Sequence, residues 1–148
     1  VPLHNYWGAA RYHPVRKTFY VFEANVTLTT RQGGLYEINS SNGMKNLIHR
    51  VATTLLGGFD RIEEIAATPD GRHLAPAQRL SYRGPTDVSF AILDLMTHRV
   101  AFHERFCQTK QETCADPHVV VGPKGAIGFS YANLNRREHQ LLLYEFKS

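Results

Sequence analysis

The sequence predicts an all-β protein, and more specifically a β-propeller segment of about three four-stranded blades that form an incomplete ring. Three observations support this prediction: a recurring proline turn, the β-rich segments that follow it, and a second polar turn at constant spacing. The prolines Pro14, Pro69 and Pro123 are separated by 55 and then 54 residues. A fixed period of this size indicates a repeat architecture in which each repeat is one supersecondary unit.

The first strand of each unit is predicted just before its proline turn. Short apolar runs at 8–12, 65–67 and 119–121 precede the three turns. Pro69-Asp70-Gly71 and Pro123-Lys124-Gly125 combine a residue that presets φ with one that accepts positive φ. These tripeptides therefore predict tight reversals between two strands.

The second and third strands follow each turn in the same order. Second strands are predicted at 18–23, 72–80 and 126–131, and third strands at 34–38, 88–93 and 140–146. Their Val, Ile, Tyr and Phe residues suit a pleated, half-buried surface.

A second polar turn ends the third strand in the first two units. Asn39 and Asp94 each lie 25 residues after their turn proline. Fourth strands are predicted beyond them, at 44–51 and 99–106. By periodicity alone 46–56 could be helical, but its β-branched residues favour a strand.

Four antiparallel strands per unit, in chain order, are typical of a propeller blade. The approximate repeat units are 4–56, 57–112 and 113–148, within a single all-β domain or a part of a larger propeller spanning 1–148. A β-sandwich is the alternative, because short strands separated by regular turns suit it equally.

The middle unit resembles the repeats of bacterial propellers. Its segment from Arg61 through Thr68-Pro69-Asp70-Gly71 to Ala75, followed by Ala91-Ile92-Leu93-Asp94-Leu95, is similar to the broad group of YVTN, TolB-type, lactonase-like and amine-dehydrogenase large-subunit propellers. The first unit lacks the Asp-Gly pair, and the third has Lys124 in place of the aspartate. The resemblance is structural, so it implies a fold and no active-site residue.

Three blades cannot close a ring, because propellers have about four to eight. Open blade faces would leave apolar surface in water. We therefore expect a non-enzymatic binding or assembly scaffold completed by another chain, by further copies of itself or by missing blades. The alternatives are a portion of a propeller enzyme (a hydrolase, a lyase or an oxidoreductase large subunit) and a lectin-like propeller that forms by oligomerisation and binds carbohydrate.

The overall amino-acid composition limits the classes of partner that the chain is expected to bind. The net charge of +4 is spread over the chain, whereas nucleic-acid binders gather their cations on one face, so the charge argues against nucleic acid. No stretch approaches the roughly 18 apolar residues of a membrane span. The chain begins Val1-Pro2-Leu3, which suggests a processed product or a piece of a longer protein.

Two cysteines lie between two histidines at symmetric spacing. Cys107 and Cys114 enclose six residues, with His103 four residues before and His118 four after. The pattern allows a disulfide, two unpaired thiols or a weak candidate metal site, although zinc knuckles use two to four intervening residues. A disulfide would imply an oxidising compartment, which favours an extracytoplasmic or secreted location.

Asn25-Val26-Thr27 and Asn39-Ser40-Ser41 fit the N-glycosylation pattern, which makes Asn25 and Asn39 weak candidate sites. Asn39 already has a predicted turn role.

No motif supports catalysis or a cofactor. The chain has no Gly-x-Ser-x-Gly elbow and no Gly-rich phosphate loop that opens a helix. Glu63 and Glu64 are adjacent, so on a strand they would face opposite sides and could not act as a pair. We therefore predict no catalytic, cofactor or resident metal residues. An N-terminal aromatic cluster is formed by Tyr6, Trp7, Tyr12 and Tyr20. We interpret it as core at a blade interface, with a binding platform as the alternative.

Overall fold

The computed structural model describes residues 7–26, 31–50, 61–80, 87–107 and 112–145. These ranges contain eleven β-strands and no helix, so the all-β prediction is confirmed. The strands are β1 (Trp7–His13), β2 (Thr18–Val26), β3 (Arg31–Asn39), β4 (Lys45–Arg50), β5 (Arg61–Ala67), β6 (His73–Leu80), β7 (Asp87–Asp94), β8 (Arg99–Phe106), β9 (Cys114–Val121), β10 (Ile127–Asn133) and β11 (Glu138–Tyr144).

Consecutive strands pair antiparallel into three sheets. Sheet A contains β1 to β4, sheet B contains β5 to β8, and sheet C contains β9 to β11, each in chain order. The predicted strand at 46–56 is confirmed over residues 46–50, and 51–56 lie outside the described residues. The repeat boundaries 4–56, 57–112 and 113–148 stay a prediction.

Sheet B lies between sheets A and C. One of its faces joins Tyr20 and Leu35 of sheet A in a buried cluster with Leu74 and Leu93. Its other face, which includes Phe90, packs against sheet C. The first strands of successive sheets are neighbours, β1 beside β5 and β5 beside β9.

Strand β7 shows the consequence of this layering. All eight of its residues, Asp87–Asp94, are buried, because both faces of sheet B are covered. A strand covered on both faces reads as a continuous apolar run instead of an alternating one. Sheet B is therefore the centre of the hydrophobic core.

The outward faces of sheets A and C retain exposed apolar side chains. On sheet C, Val120, Leu141 and Leu143 are between 64 and 72% exposed. On sheet A, Tyr12 and Phe19 are each 42% exposed, and their ring centroids lie 4.8 Å apart. We call these surfaces the outer faces of sheets C and A.

The three predicted proline turns each join the first and second strands of a sheet, but they have two geometries. In the Pro69 and Pro123 turns, Gly71 and Gly125 have φ of 77° and 91°, and each glycine N–H donates to the carbonyl three residues earlier. The Pro14 turn contains no glycine, and its positive φ falls on Lys17 at 52°. A proline fixes only its own φ, so its position marks the turn without fixing the turn geometry.

The second predicted turn has a common hydrogen bond. Asn39 and Asp94, at the ends of third strands, accept the backbone N–H two residues on at 2.8 Å each. Asn133, at the end of β10, accepts the equivalent bond at 3.2 Å. A short polar side chain can replace a backbone acceptor in this way, which explains why these residue types occupy strand ends.

Within the described ranges there is no helix of the length and apolarity needed to cross a membrane.

Candidate binding groove along the first strands

A groove of about 690 Å³ lies where the first strands of the three sheets approach one another. It is lined by residues of β1, β5 and β9 and by the turns that follow β5 and β9: Ala10, Arg11, Glu64, Ile65, Ala66, Ala67, Pro69, Val119, Val120, Val121, Gly122 and Pro123. Each of these strands is at the edge of its sheet, so the groove combines backbone edges with side chains.

Glu64 is turned toward sheet C by an irregularity in its strand. The pairing of β5 with β6 shifts register between Ile62 and Glu64. A bulge of this kind re-aims the side chains on one strand. The carboxylate of Glu64 therefore reaches the edge of β9, across the gap between two sheets.

At that edge the Glu64 carboxylate accepts two hydrogen bonds from sheet C. Nδ1 of His118 donates to Oε1 at 2.6 Å, and the backbone N–H of Val119 donates to Oε2 at 2.9 Å. The Val119 N–H belongs to the open edge of sheet C, which otherwise would present an unpaired donor. One carboxylate thus joins sheets B and C and orients an imidazole.

These contacts set the charge of Glu64. Partial burial alone would raise the pKa of the carboxyl, but the hydrogen bonds from His118 and from the Val119 N–H outweigh it and hold the pKa below its usual range. Arg11, on the neighbouring strand β1, adds a smaller effect in the same direction. The carboxylate is therefore ionised at neutral pH.

The hydrogen bond to Glu64 holds the His118 imidazole in one orientation. Because an ionised carboxylate only accepts hydrogen bonds, Nδ1 of His118 carries the proton that it donates, and Nε2 of a neutral ring is an acceptor. The His118 side chain is 57% exposed, so a ligand can reach it. The groove can therefore offer a ligand the Arg11 cation and a row of backbone groups, while the oriented imidazole of His118, next to the lining residue Val119, lies outside its lining.

The two cysteines of the sequence pattern lie at disulfide distance. The Cα atoms of Cys107 and Cys114 are 5.9 Å apart, within the usual range for a bridge. Cys107 follows the last strand of sheet B and Cys114 opens sheet C. A bridge here ties the end of one sheet to the beginning of the next.

The two histidines of the same pattern have separate partners. Nε2 of His103 is hydrogen-bonded to Oγ of Ser89 at 2.9 Å, while Nδ1 of His118 bonds to Glu64. Over the described ranges, no group of three or more His, Cys, Asp or Glu side chains is placed to hold a metal ion.

The two glycosylation candidates are located on one hairpin of sheet A. Asn25 lies in β2, opposite Gln32 of β3. The exposed Asn39 uses Oδ1 to accept hydrogen bonds from both the backbone N–H and the hydroxyl of Ser41. Its predicted turn role is confirmed, and glycosylation at either residue stays a prediction.

The pairing of Glu64 with His118 was not foreseen, although the sequence contains a signal for it. Each residue lies five positions before the turn proline of its unit, Pro69 or Pro123. The two residues therefore occupy corresponding positions on the first strands β5 and β9. Sequence reasoning treated Glu64 only with its neighbour Glu63, and treated His118 only with the cysteines.

Comparison with protein-family models, with curated proteins and with solved structures gives no match to this chain.

Proposed function

We propose that this chain is a segment of a β-propeller that acts as a non-enzymatic binding and assembly scaffold. The single observation that supports it is the difference between the three sheets. Sheet B is covered on both faces, whereas sheets A and C are each packed on one face and keep exposed apolar side chains on the other. Exposed apolar patches of this kind mark interaction surfaces.

The stacking direction favours a propeller over a sandwich. The first strands of the three sheets are neighbours, and the meanders of four, four and three strands in chain order pack face to face beside them. In a propeller the first strands surround the central channel. The groove with Arg11 and Glu64 would then belong to that channel, where a ligand binds.

The test is the native mass of the protein, with a variant that makes one outer face polar. We expect the wild-type protein to have a mass above 16.8 kDa, as a multiple of the chain or as a mixed complex. The double substitution Leu141→Glu and Leu143→Glu should reduce this mass to that of the single chain. Native mass spectrometry under non-reducing conditions measures it.

The matched control is Met96→Glu, because Met96 is equally exposed but lies in a turn of sheet B. This variant should keep the wild-type mass. A wild-type protein that stays at 16.8 kDa and binds no hydrophobic dye would refute the scaffold proposal, since its outer faces would then need no cover.

The enzyme alternative is favoured by one observation, the hydrogen-bonded pair of the Glu64 carboxylate and the His118 imidazole. A histidine oriented by a carboxylate can serve as a general base when a substrate hydroxyl or water lies within hydrogen-bonding distance of Nε2. In that case Glu64→Gln should lower kcat of the assembled complex by about 100-fold or more while leaving its mass unchanged. If the wild type shows no turnover and Glu64→Gln only loses ligand binding, the result would instead support the scaffold.

A further inference from the structure

Arg11 brings an accessible positive charge to the groove. Its exposed side chain lines the groove from β1, the first strand of sheet A. Its charge acts on the Glu64 carboxyl, but over the described ranges the Arg11 guanidinium makes no hydrogen bond and no ion pair. A guanidinium has five N–H donors in a planar fork that matches an oxyanion. These donors are therefore available to a ligand in the groove.

Glu64, the other charged residue of the lining, does not occupy these donors. Its carboxylate is held by sheet C, through His118 Nδ1 at 2.6 Å and the Val119 N–H at 2.9 Å. The negative charge nevertheless stays in the groove, and like charges repel at short range. A ligand with two negative charges would meet this repulsion with only one guanidinium to offset it, so the groove favours a single negative charge.

The open edge of β9 supplies a backbone donor. Because the Val119 N–H donates to Glu64, it points away from β10, the strand with which β9 pairs. Along an antiparallel strand, residues bonded to the neighbouring strand alternate with residues that face the other edge. Gly122 fits this alternation, since its N–H donates to the Ala126 carbonyl at 2.8 Å. The N–H of Val121, a lining residue, therefore faces the open edge.

The remainder of the groove is apolar. Its volume of about 690 Å³ is in the usual range for small-molecule sites. Apart from Arg11 and Glu64, the lining residues are apolar, and they include Ile65 and Ala66 of β5 and Pro123 of the turn after β9. The part of a ligand that follows its charged group should therefore be apolar as well.

We propose that the groove binds a small monocarboxylate with an apolar body, whose carboxylate is held between the Arg11 guanidinium and the Val121 N–H. This proposal rests on the proposed function, in which the groove binds a ligand, and it names the ligand class. Arginine suits a carboxylate because it can form two parallel N–H···O bonds. An added peptide strand fits less well, because Glu64 already occupies the Val119 N–H and Pro117, two residues before, has no N–H.

Titration of the ¹⁵N-labelled full chain with 3-methylbutanoate, followed by heteronuclear NMR, tests this assignment. We expect saturable shifts of the Arg11 Nε–Hε signal and of the Val121 amide signal. The neutral 3-methylbutanamide has the same shape but no charge, and inorganic phosphate has the charge but no apolar body. Each should bind about tenfold or more weakly than 3-methylbutanoate, because each lacks one of the two features that the groove recognises.

Two variants locate the binding site. Arg11→Gln should weaken the binding of 3-methylbutanoate about tenfold or more, since hydrogen bonds to a charged group are lost. The control Arg99→Gln removes the same charge from an exposed position on β8, outside the groove lining, and should keep the wild-type dissociation constant. Far-UV circular dichroism confirms that both variants keep their strands. Equal affinity for the acid and the amide, an unchanged affinity in Arg11→Gln, tighter binding of phosphate, or no saturable shift would each overturn the proposal.

The native mass separates this proposal from the scaffold function. A wild-type protein above 16.8 kDa that does not bind 3-methylbutanoate overturns the ligand class and leaves the scaffold. A protein of 16.8 kDa that binds no hydrophobic dye refutes the scaffold, whereas saturable binding of the acid at Arg11 in that chain would still support the groove as a carboxylate site.

Discussion

The two interfaces of sheet B have different chemistry. The B–C interface is a cluster of aromatic rings, in which Phe106 stacks on Tyr131 at 4.8 Å and Phe90 on Phe129 at 4.9 Å. The A–B interface also buries apolar side chains, but Tyr20 meets the edge of a buried histidine, His13, at a centroid distance of 6.3 Å. The A–B contact thus includes a buried histidine ring, whereas the B–C contact is made chiefly by aromatic rings.

The turns beside the A–B interface add polar contacts to this difference between the two interfaces. Beside the A–B interface, Arg16 Nη1 donates to the Gly71 carbonyl at 3.0 Å, and the buried Thr68 hydroxyl accepts the His73 N–H at 3.0 Å. Burial lowers the pKa of both His13 and His73, since a charged ring loses its hydration there. His13 should therefore make the A–B interface sensitive to pH, whereas the aromatic cluster of the B–C interface should respond mainly to changes in packing.

The largest effect is expected from Phe129→Ala in the B–C interface. Phe129 is fully buried and contacts the rings of Phe90 and Phe102, so its removal leaves a cavity that the surrounding sheets cannot fill. We expect the free energy of unfolding to fall by about 3–5 kcal/mol. Urea denaturation followed by circular dichroism measures it.

The control is Leu134→Ala, at an exposed position in the turn after β10, where a change within about 0.5 kcal/mol is expected. If Phe129→Ala costs less than about 1 kcal/mol, the aromatic cluster is not the principal source of stability and the contrast between the interfaces fails.

Sequence patterns predicted the elements of this fold because their determinants are local. Strand β7 is mostly apolar, at Val88 and from Phe90 to Leu93, and it is closed by Asp94. The Asp94 carboxylate accepts the N–H groups of the next turn, so both the type and the end of the strand follow from neighbouring residues. The same holds for Gly71, whose positive φ a turn requires.

The candidate groove could be predicted less well, because it depends on how sheets stack. Glu64 meets His118 across 54 residues, and a bulge in β5 aims the carboxylate. Neither the bulge nor the side of the sheet that receives sheet C is encoded in a short pattern. The two geometries of the proline turns show the same limit, since Lys17 takes a positive φ without any glycine signal.

A smaller effect is expected from the cysteine pair that connects sheets B and C. The double substitution Cys107→Ala and Cys114→Ala should lower the free energy of unfolding by about 2–3 kcal/mol, because the loop between the two residues is short and closing it costs the unfolded chain little entropy. Unfolding of the wild type with and without a reductant is the parallel measurement.

This experiment separates two sources of stability. A disulfide lowers the entropy of the unfolded chain, whereas the aromatic cluster stabilises the folded state. Because Cys114 lies in the same buried cluster as Phe129, combining the cysteine changes with Phe129→Ala should give losses that depart from additivity. A reductant that leaves the wild-type midpoint unchanged would show that the two thiols are not bridged in solution.

The smallest effect is expected from the protonation of histidines, of which His13 lies at the A–B interface. His13, His73 and His103 have folded-state pKa values below the ordinary 6.5, with burial as the first cause in each case. The unfolded chain therefore binds protons first as the pH falls, and stability is full above about pH 6.5 and declines below it. The carboxyls of Glu64 and Asp94, whose folded pKa values are also lowered, act in a separate window below about pH 4.5.

His13→Phe isolates the contribution of the A–B interface, because phenylalanine keeps a ring beside Tyr20 but cannot be protonated. We expect the loss of stability between about pH 7 and pH 5 to be smaller in this variant than in the wild type. Tyr20→Phe, at the same interface, changes stability without changing this slope and is the control. Equal slopes in the wild type and His13→Phe would contradict the role of His13 and leave the decline to His73 and His103. Urea midpoints measured across that pH range decide between these results.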